Sequence, residues 1–125
     1  GVDFFLDVHG DEAIPHNFLA GSGGIPSFSE RMQGLEDAYG DALLRVSPDF
    51  QRAVGYPVAP PGKANLTMAS KYVAEAFDCL SLTLEQPFKD VLEGPDPIHG
   101  WSPERCRIFG AANIDAMVAV LPKLR

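Results

Sequence analysis

FFLDVHGDE, residues 4–12, is the stretch from which the fold of this chain can be inferred. Residues 2–8 are apolar apart from two aspartates, which favours a strand covered on both faces, as in a mostly parallel sheet. We expect this strand to end at residue 8 and the chain to turn at Gly10, since glycine turns at little steric cost. Ligands bind beyond the carboxyl ends of the strands in such sheets, so His9 is predicted to lie where ligands bind.

His9 allows two interpretations from the residues alone. It can be a histidine at a strand end that hydrogen-bonds to a neighbouring loop. It can also be a metal ligand, because neutral imidazole is a common ligand of zinc in proteins.

The second informative stretch is CLSLTLEQPF, residues 79–88. Leucine alternates there with small or polar residues, and this period of two is typical of a β-strand. Glu85 is the last residue of the small and polar face, and Pro87 is expected to end regular pairing soon afterwards. Glu85 is therefore either a solvated strand end or a general base at the carboxyl edge of the sheet.

Together the two stretches resemble segments of the zinc metallocarboxypeptidases of the M14 type, and the likeness is closest to the cytosolic carboxypeptidase branch. Residues 4–10 are similar to the segment that carries the third zinc ligand of that family. Residues 82–88 are similar to the segment that carries its catalytic glutamate. The order and wide separation of the segments also fit, and the resemblance covers nearly the whole chain.

The resemblance implies a zinc-dependent hydrolase in which His9 is a metal ligand and Glu85 is the catalytic base. It implies cleavage of C-terminal peptide bonds, with a peptide or protein C-terminus as substrate and one zinc ion as cofactor. In the cytosolic branch the substrates are often polyglutamate or acidic tails. The expected fold is α/β, a fragment of a mixed, mostly parallel sheet flanked by helices.

The family's first two zinc ligands come from an earlier His-x-x-Glu motif, which is followed by substrate-binding arginines. Residues 9–12 formally match that motif, but only His16 and His99 would then remain as third ligand, and His99 lies beyond Glu85. We therefore keep His9 as the third ligand.

The chain starts without methionine and enters a strand at once. We interpret residues 1–125 as the C-terminal portion of a zinc carboxypeptidase catalytic domain whose upstream half is absent. The isolated fragment is expected to be inactive, to bind zinc weakly and to self-associate through exposed apolar surface. Two other functions stay open: a zinc-dependent deacylase of N-acyl amino acids, and a non-catalytic α/β interaction domain in which the motif residues are coincidental.

Composition restricts the class of protein. With 125 residues and 46% hydrophobic content, the chain can bury a core of ordinary size. A net charge of −7 argues against nucleic acid as a partner, since phosphate binding needs a basic face. No apolar run approaches the roughly 20 residues of a membrane span. Cys79 and Cys106 lack metal-like spacing and are expected to be free, buried thiols of a cytoplasmic protein.

The remaining residues predict helices that flank the sheet, in the order typical of α/β proteins. A capping box at 27–30 opens a helix through Val46 that exposes Glu36, and a short helix is expected at 47–53. Asn65 is predicted to cap a third helix that ends at residue 78, and a serine and proline at 102–103 to begin the last helix. The face of the third helix that is expected to be buried consists of Met68, Ala69, Tyr72, Val73, Ala76 and Phe77.

Two loops are predicted to lie beside the site. Asp11 and Glu12 either orient His9 or a neighbouring loop, as carboxylates near metal ligands often do, or face solvent. Residues 55–63 are rich in proline and glycine, which indicates an ordered loop without regular structure. Tyr56 is either a tyrosine packed in that loop or, as the resemblance implies, a mobile tyrosine presented to the terminal carboxylate of the substrate.

Overall fold

A computed structural model describes residues 1–91 and 94–124 and contains a three-stranded mixed sheet. The strands are β1 (Phe4–Asp11), β2 (Phe18–Ala20) and β3 (Leu80–Pro87). They lie in the order β1-β3-β2, with β1 parallel to β3 and β2 antiparallel to it. The predicted α/β class with a mixed sheet flanked by helices is confirmed.

Three helices cover the sheet: α1 (Glu30–Val46), α2 (Ala69–Phe77) and α3 (Pro103–Val120), the last followed by a short 3-10 turn at Leu121–Lys123. α1 and α3 pack on one face, where they bury the leucines of β3. α2 packs on the other face, where Ser70 Oγ and Thr83 Oγ1 lie 2.8 Å apart. The residues of β3 are buried on both faces apart from Gln86, so β3 is the central element of the sheet.

The main core lies between β3 and the α1–α3 pair. Burial of its leucine side chains contributes on the order of 2 kcal/mol each. A hydrogen bond of 2.8 Å from the Tyr39 hydroxyl to Asn113 Oδ1 ties α1 to α3 inside this apolar layer. The buried residues of this core are Leu35, Tyr39, Ala42, Leu43, Phe50, Leu80, Leu82, Leu84, Phe109, Ala112, Ala116 and Val120.

β1 is longer than expected, and the predicted turn at Gly10 is wrong. The strand continues to Asp11, because each of its residues from Phe4 onward finds a partner on β3. Gly10 is needed for a close approach instead: a Cβ there would lie 2.0 Å from the ring of Phe88. β1 is also an edge strand, and its Val8 is 57% exposed. The expectation of a strand covered on both faces is therefore not met among the described residues.

The predicted start of α1 is off by two residues, and the short helix at 47–53 does not form. Ser29 is the N-cap and accepts a hydrogen bond from the Met32 amide at 3.2 Å, while Ser27 bonds to Glu75 of α2. After Ser47 the chain makes a turn, which lets Phe50 enter the core and form a bridge with Asn17. The predicted N-cap of the last helix, Ser102, is confirmed.

The prediction for α2 is wrong about its buried face. The helix begins at Ala69, and Asn65 accepts from the Thr67 amide in the preceding turn. Tyr72 is 60% exposed, whereas Ser70 is buried, because the sheet offers the helix polar partners as well as apolar ones. The predicted loop at 55–63 is confirmed.

Cys79 is buried, as expected, whereas Cys106 is only half-buried. Across residues 1–91 and 94–124, none of the helices combines the length and apolar character needed to cross a bilayer.

Candidate active site

His9 and Glu85 are direct partners in the ladder between β1 and β3. Residues that pair in adjacent parallel strands project from the same face of the sheet, and the strands lie about 4.8 Å apart. Both residues also lie in the last half of their strands, at the carboxyl edge. The two residues therefore share one sheet, one face and one edge, whereas their chemical roles stay predictions.

Asp7 orients the imidazole of His9. The Nε2 atom of His9 lies 2.9 Å from Asp7 Oδ1, and the two residues share a face because they are two positions apart on β1. A histidine that donates one ring N–H to a carboxylate is fixed in a tautomer whose other nitrogen can bind a metal. That other nitrogen here is Nδ1. Sequence analysis did not assign this role to Asp7, although the period of two in β1 placed the aspartate on the face of His9.

The carboxylate of Glu85 is buried, with 6% of the residue exposed. Its Oε2 atom has no hydrogen-bond partner among the described residues. Burial raises the pKa of Glu85, the nearby His9 opposes that change, and the charge of Asp11 adds to it. A carboxylate with a raised pKa and an unpaired oxygen is suited to accept a proton.

Asp11 and Tyr56 complete the surroundings of Glu85. The Oδ1 atom of Asp11 accepts from the amides of Ala13 at 2.7 Å and Ile14 at 2.5 Å, and Oδ2 accepts from the Tyr56 hydroxyl. The Ile14 amide and the Tyr56 hydroxyl hold the pKa of Asp11 below its usual range. Of the two roles left open for Asp11, the structure shows contacts with a neighbouring loop, while Glu12 is exposed.

The Tyr56 side chain thus reaches the candidate site from a distant loop. Its ring packs edge-on against Phe18, with centroids 4.8 Å apart. Burial raises the pKa of Tyr56, and the carboxylates of Asp11 and Glu85 act in the same direction. Residues 55–63 of the sequence contain no pattern that could have predicted these contacts.

A cavity of about 860 Å³ adjoins Phe18 and Tyr56 and extends beneath the loop that follows Phe50. Its wall includes Glu36, which was predicted to face solvent but accepts a hydrogen bond from the Ser22 amide at 2.5 Å. Lys71 also lines the cavity. Burial raises the pKa of Glu36 and lowers the pKa of Lys71, and the charge of Lys71 opposes the rise in the pKa of Glu36. Among the described residues, the charged groups of its lining are thus one acid, Glu36, and three bases, Arg52, Lys63 and Lys71.

His99 lies in an exposed loop after β3. Its side chain is 71% exposed, and its Nδ1 atom lies 3.1 Å from Asp96 Oδ2. Within residues 1–91 and 94–124, no three side chains of His, Cys, Asp or Glu are grouped closely enough to hold a metal ion. The side chain of this chain that suits a zinc ligand is His9. Its Nε2 atom contacts Asp7, and Glu85, its partner on β3, has an unpaired oxygen.

Comparison with solved structures found proteins with the same fold. A metallo-carboxypeptidase from Pseudomonas aeruginosa, solved in complex with (2-guanidinoethylmercapto)succinic acid, superposes with a TM-score of 0.95 and 42% identity over 100% of this chain and 33% of that chain. A metallo-carboxypeptidase from Burkholderia cenocepacia gives a TM-score of 0.88 and 45% identity, over 96% of this chain and 32% of that chain. The fold is carboxypeptidase-like.

Two further proteins extend the likeness. A protein of Shewanella denitrificans has a TM-score of 0.96 and 52% identity over 100% of this chain and 33% of that chain. An uncharacterized protein of Zymomonas mobilis is 45% identical over 124 residues, which are 99% of this chain and 33% of that protein. No family model matches the chain. The carboxypeptidase-like chain spans about a third of the length of the proteins that it matches.

Proposed function

We propose that this chain forms part of the active site of a zinc-dependent metallocarboxypeptidase that hydrolyses C-terminal peptide bonds. The observation that carries the proposal is the pairing of His9 with Glu85 on one face of the sheet, with Asp7 bonded to the imidazole. The likeness to metallo-carboxypeptidases over nearly the whole chain supports it.

Each residue has a distinct role in the proposed reaction. His9 would hold the metal, with Nδ1 as the ring nitrogen left open to it, and Asp7 keeps the ring in the required tautomer and orientation. A bound zinc ion supplies a Lewis acid that polarises a carbonyl and lowers the pKa of water. Glu85 removes one proton from the attacking water and delivers it to the nitrogen of the departing amino acid. Acceptance and release by the same carboxylate return Glu85 to its starting charge.

The proposed enzyme needs more than this chain provides. A catalytic zinc site uses three protein ligands and one open position, and His9 is one ligand. The other two, and the arginines that bind the substrate carboxylate, are proposed to lie in an upstream part of the protein, as the resemblance implies. We place the enzyme in the cytosolic branch and in the cytoplasm, with peptide C-termini rather than nucleic acids as its partners.

The test is an assay of the intact protein that contains this chain. Hydrolysis of peptides with free C-termini, lost on chelation and restored by zinc, would support the proposal. Chelator-sensitive hydrolysis of N-acyl amino acids in place of peptides would instead identify a deacylase with the same metal arrangement. Absence of both activities, together with absence of stoichiometric metal, would leave a non-catalytic domain.

A further inference from the structure

Asp11 has a buried carboxylate beside Glu85 that takes no part in the proposed reaction. The residue is 8% exposed, and its two oxygens have separate partners. Oδ1 accepts both backbone amides of the turn that follows β1, those of Ala13 and Ile14. Oδ2 accepts the Tyr56 hydroxyl, which comes from 45 positions further along the chain. One oxygen thus serves local structure, and the other binds a distant loop.

The Tyr56 hydroxyl has one proton and two carboxylates nearby. It donates that proton to Asp11, while Oε2 of Glu85 has no partner among the described residues. Two backbone donors fix the Asp11 carboxylate in place, and the Tyr56 hydroxyl donates to it while also lying close to Glu85. Asp11 therefore holds the hydroxyl beside the candidate base.

The loop that carries Tyr56 is fastened at both ends. At the first end, the Gln51 side chain donates to the carbonyl of Asn17 at 3.0 Å and also closes a local turn with Val54. At the second end, the Ala64 amide donates to the carbonyl of Gly24 at 3.0 Å. Between these points the bond from Tyr56 to Asp11 ties the loop to the sheet edge, above the cavity.

We propose that Asp11 is a positioning residue that holds Tyr56, and with it residues 51–64, in place over the cavity. In the same contact it holds the Tyr56 hydroxyl beside Glu85. The inference rests on the proposed function for its effect on catalysis. Its structural part, the tether between Asp11 and the loop, can be measured without any activity.

The substitution Asp11→Asn tests the roles of the two carboxylate oxygens separately. An asparagine can keep its carbonyl oxygen on the amides of Ala13 and Ile14, as Oδ1 does now. It places an NH₂ group at the position of Oδ2, so the hydroxyl can no longer donate there, and a bond from the NH₂ group to the tyrosine oxygen lacks the charged acceptor. Tyr56→Phe removes the same bond from the other side, and the double variant shows whether the two residues act as a unit. Glu12→Gln is the matched control, since Glu12 is an adjacent but exposed carboxylate.

The experiment measures hydrogen exchange and peptidase kinetics in the intact protein. We expect amides within residues 52–63 to exchange roughly tenfold faster in Asp11→Asn and in Tyr56→Phe than in the unsubstituted protein. The double variant should exchange no faster than either single variant, because the same bond to the Asp11 carboxylate is lost in each case. KM for a peptide substrate should rise by a similar factor in all three variants, since the loop covers the cavity. Glu12→Gln should change neither quantity, and amides 13–14 should stay protected in Asp11→Asn.

Two results would overturn the proposal. Faster exchange in Asp11→Asn confined to residues 12–14, with Tyr56→Phe unchanged, would show that Asp11 serves only its own turn. Effects of the two single variants that multiply in the double variant would show that the residues act independently. If the unsubstituted protein has no peptidase activity, the proposed function fails, and the exchange measurements alone decide whether the tether exists.

Discussion

Replacing Glu85 with glutamine is the most direct test of the proposed chemistry. The amide has nearly the shape of the carboxylate, so it fits the same buried position without a new cavity. Burial already disfavours the charged form of Glu85, so removing the charge should leave the fold intact. The amide cannot take a proton from water, which removes the role assigned to this residue.

The structure indicates how large the effect should be and in which constant it should appear. Because Oε2 has no partner among the described residues, the amide breaks no side-chain hydrogen bond at that atom. The loss should therefore fall on the proton transfer itself, which general acid–base residues accelerate by roughly 100- to 10,000-fold. We expect kcat to fall within that range, KM to change by less than about threefold, and the zinc content to stay the same.

The assay compares steady-state hydrolysis of a peptide by the intact protein and by its Glu85→Gln variant, with metal content measured on the same samples. Glu36→Gln is the matched control, because it also neutralises a buried carboxylate and keeps an oxygen for the Ser22 amide. Its kcat should stay within about threefold of the unsubstituted value. Near-normal turnover by Glu85→Gln, or loss of zinc from it, would refute the assignment of Glu85 as a base that does not bind metal.

Three further outcomes are expected of the intact protein. Asp7→Asn should weaken zinc affinity by roughly 10- to 100-fold in a competition titration with a chelator, since His9 loses its orienting carboxylate, and unchanged affinity would contradict that role. Burial raises the pKa of Glu36, so its charge destabilises the folded protein increasingly as pH rises above the unfolded pKa of 4.5. Glu36→Gln should therefore be more stable than the unsubstituted protein near pH 7 and equally stable below pH 4, as measured by denaturant unfolding. Leu82→Ala should lower the free energy of unfolding by about 2–5 kcal/mol in the same measurement, and Val8→Ala should lower it less, because Leu82 is 2% exposed and Val8 57% in the described structure. Equal losses of stability would show that another segment covers β1.

The local pattern of the sequence was sufficient to predict several elements. Alternation in residues 79–88 predicts β3 and places Glu85 on its polar face, because a period of two is a property of the strand itself. The serine and proline at 102–103 predict the start of α3, because helix capping involves residues close in sequence. The resemblance to carboxypeptidases then predicted that His9 and Glu85 belong to one site, and the parallel pairing of β1 with β3 agrees with that prediction.

The tertiary structure decided the features that depend on distant neighbours. The start of α2 and its exposed apolar face follow from the hydrogen bonds that Ser70 makes with β3. Glu36 belongs to a polar position on α1 by sequence, yet it is partly buried, and it accepts a hydrogen bond from the Ser22 amide. The bond between Tyr56 and Asp11 joins residues 45 positions apart. Periodicity and capping are encoded within a few residues, whereas burial and pairing depend on which remote segment covers a surface, and only the folded chain brings those segments together.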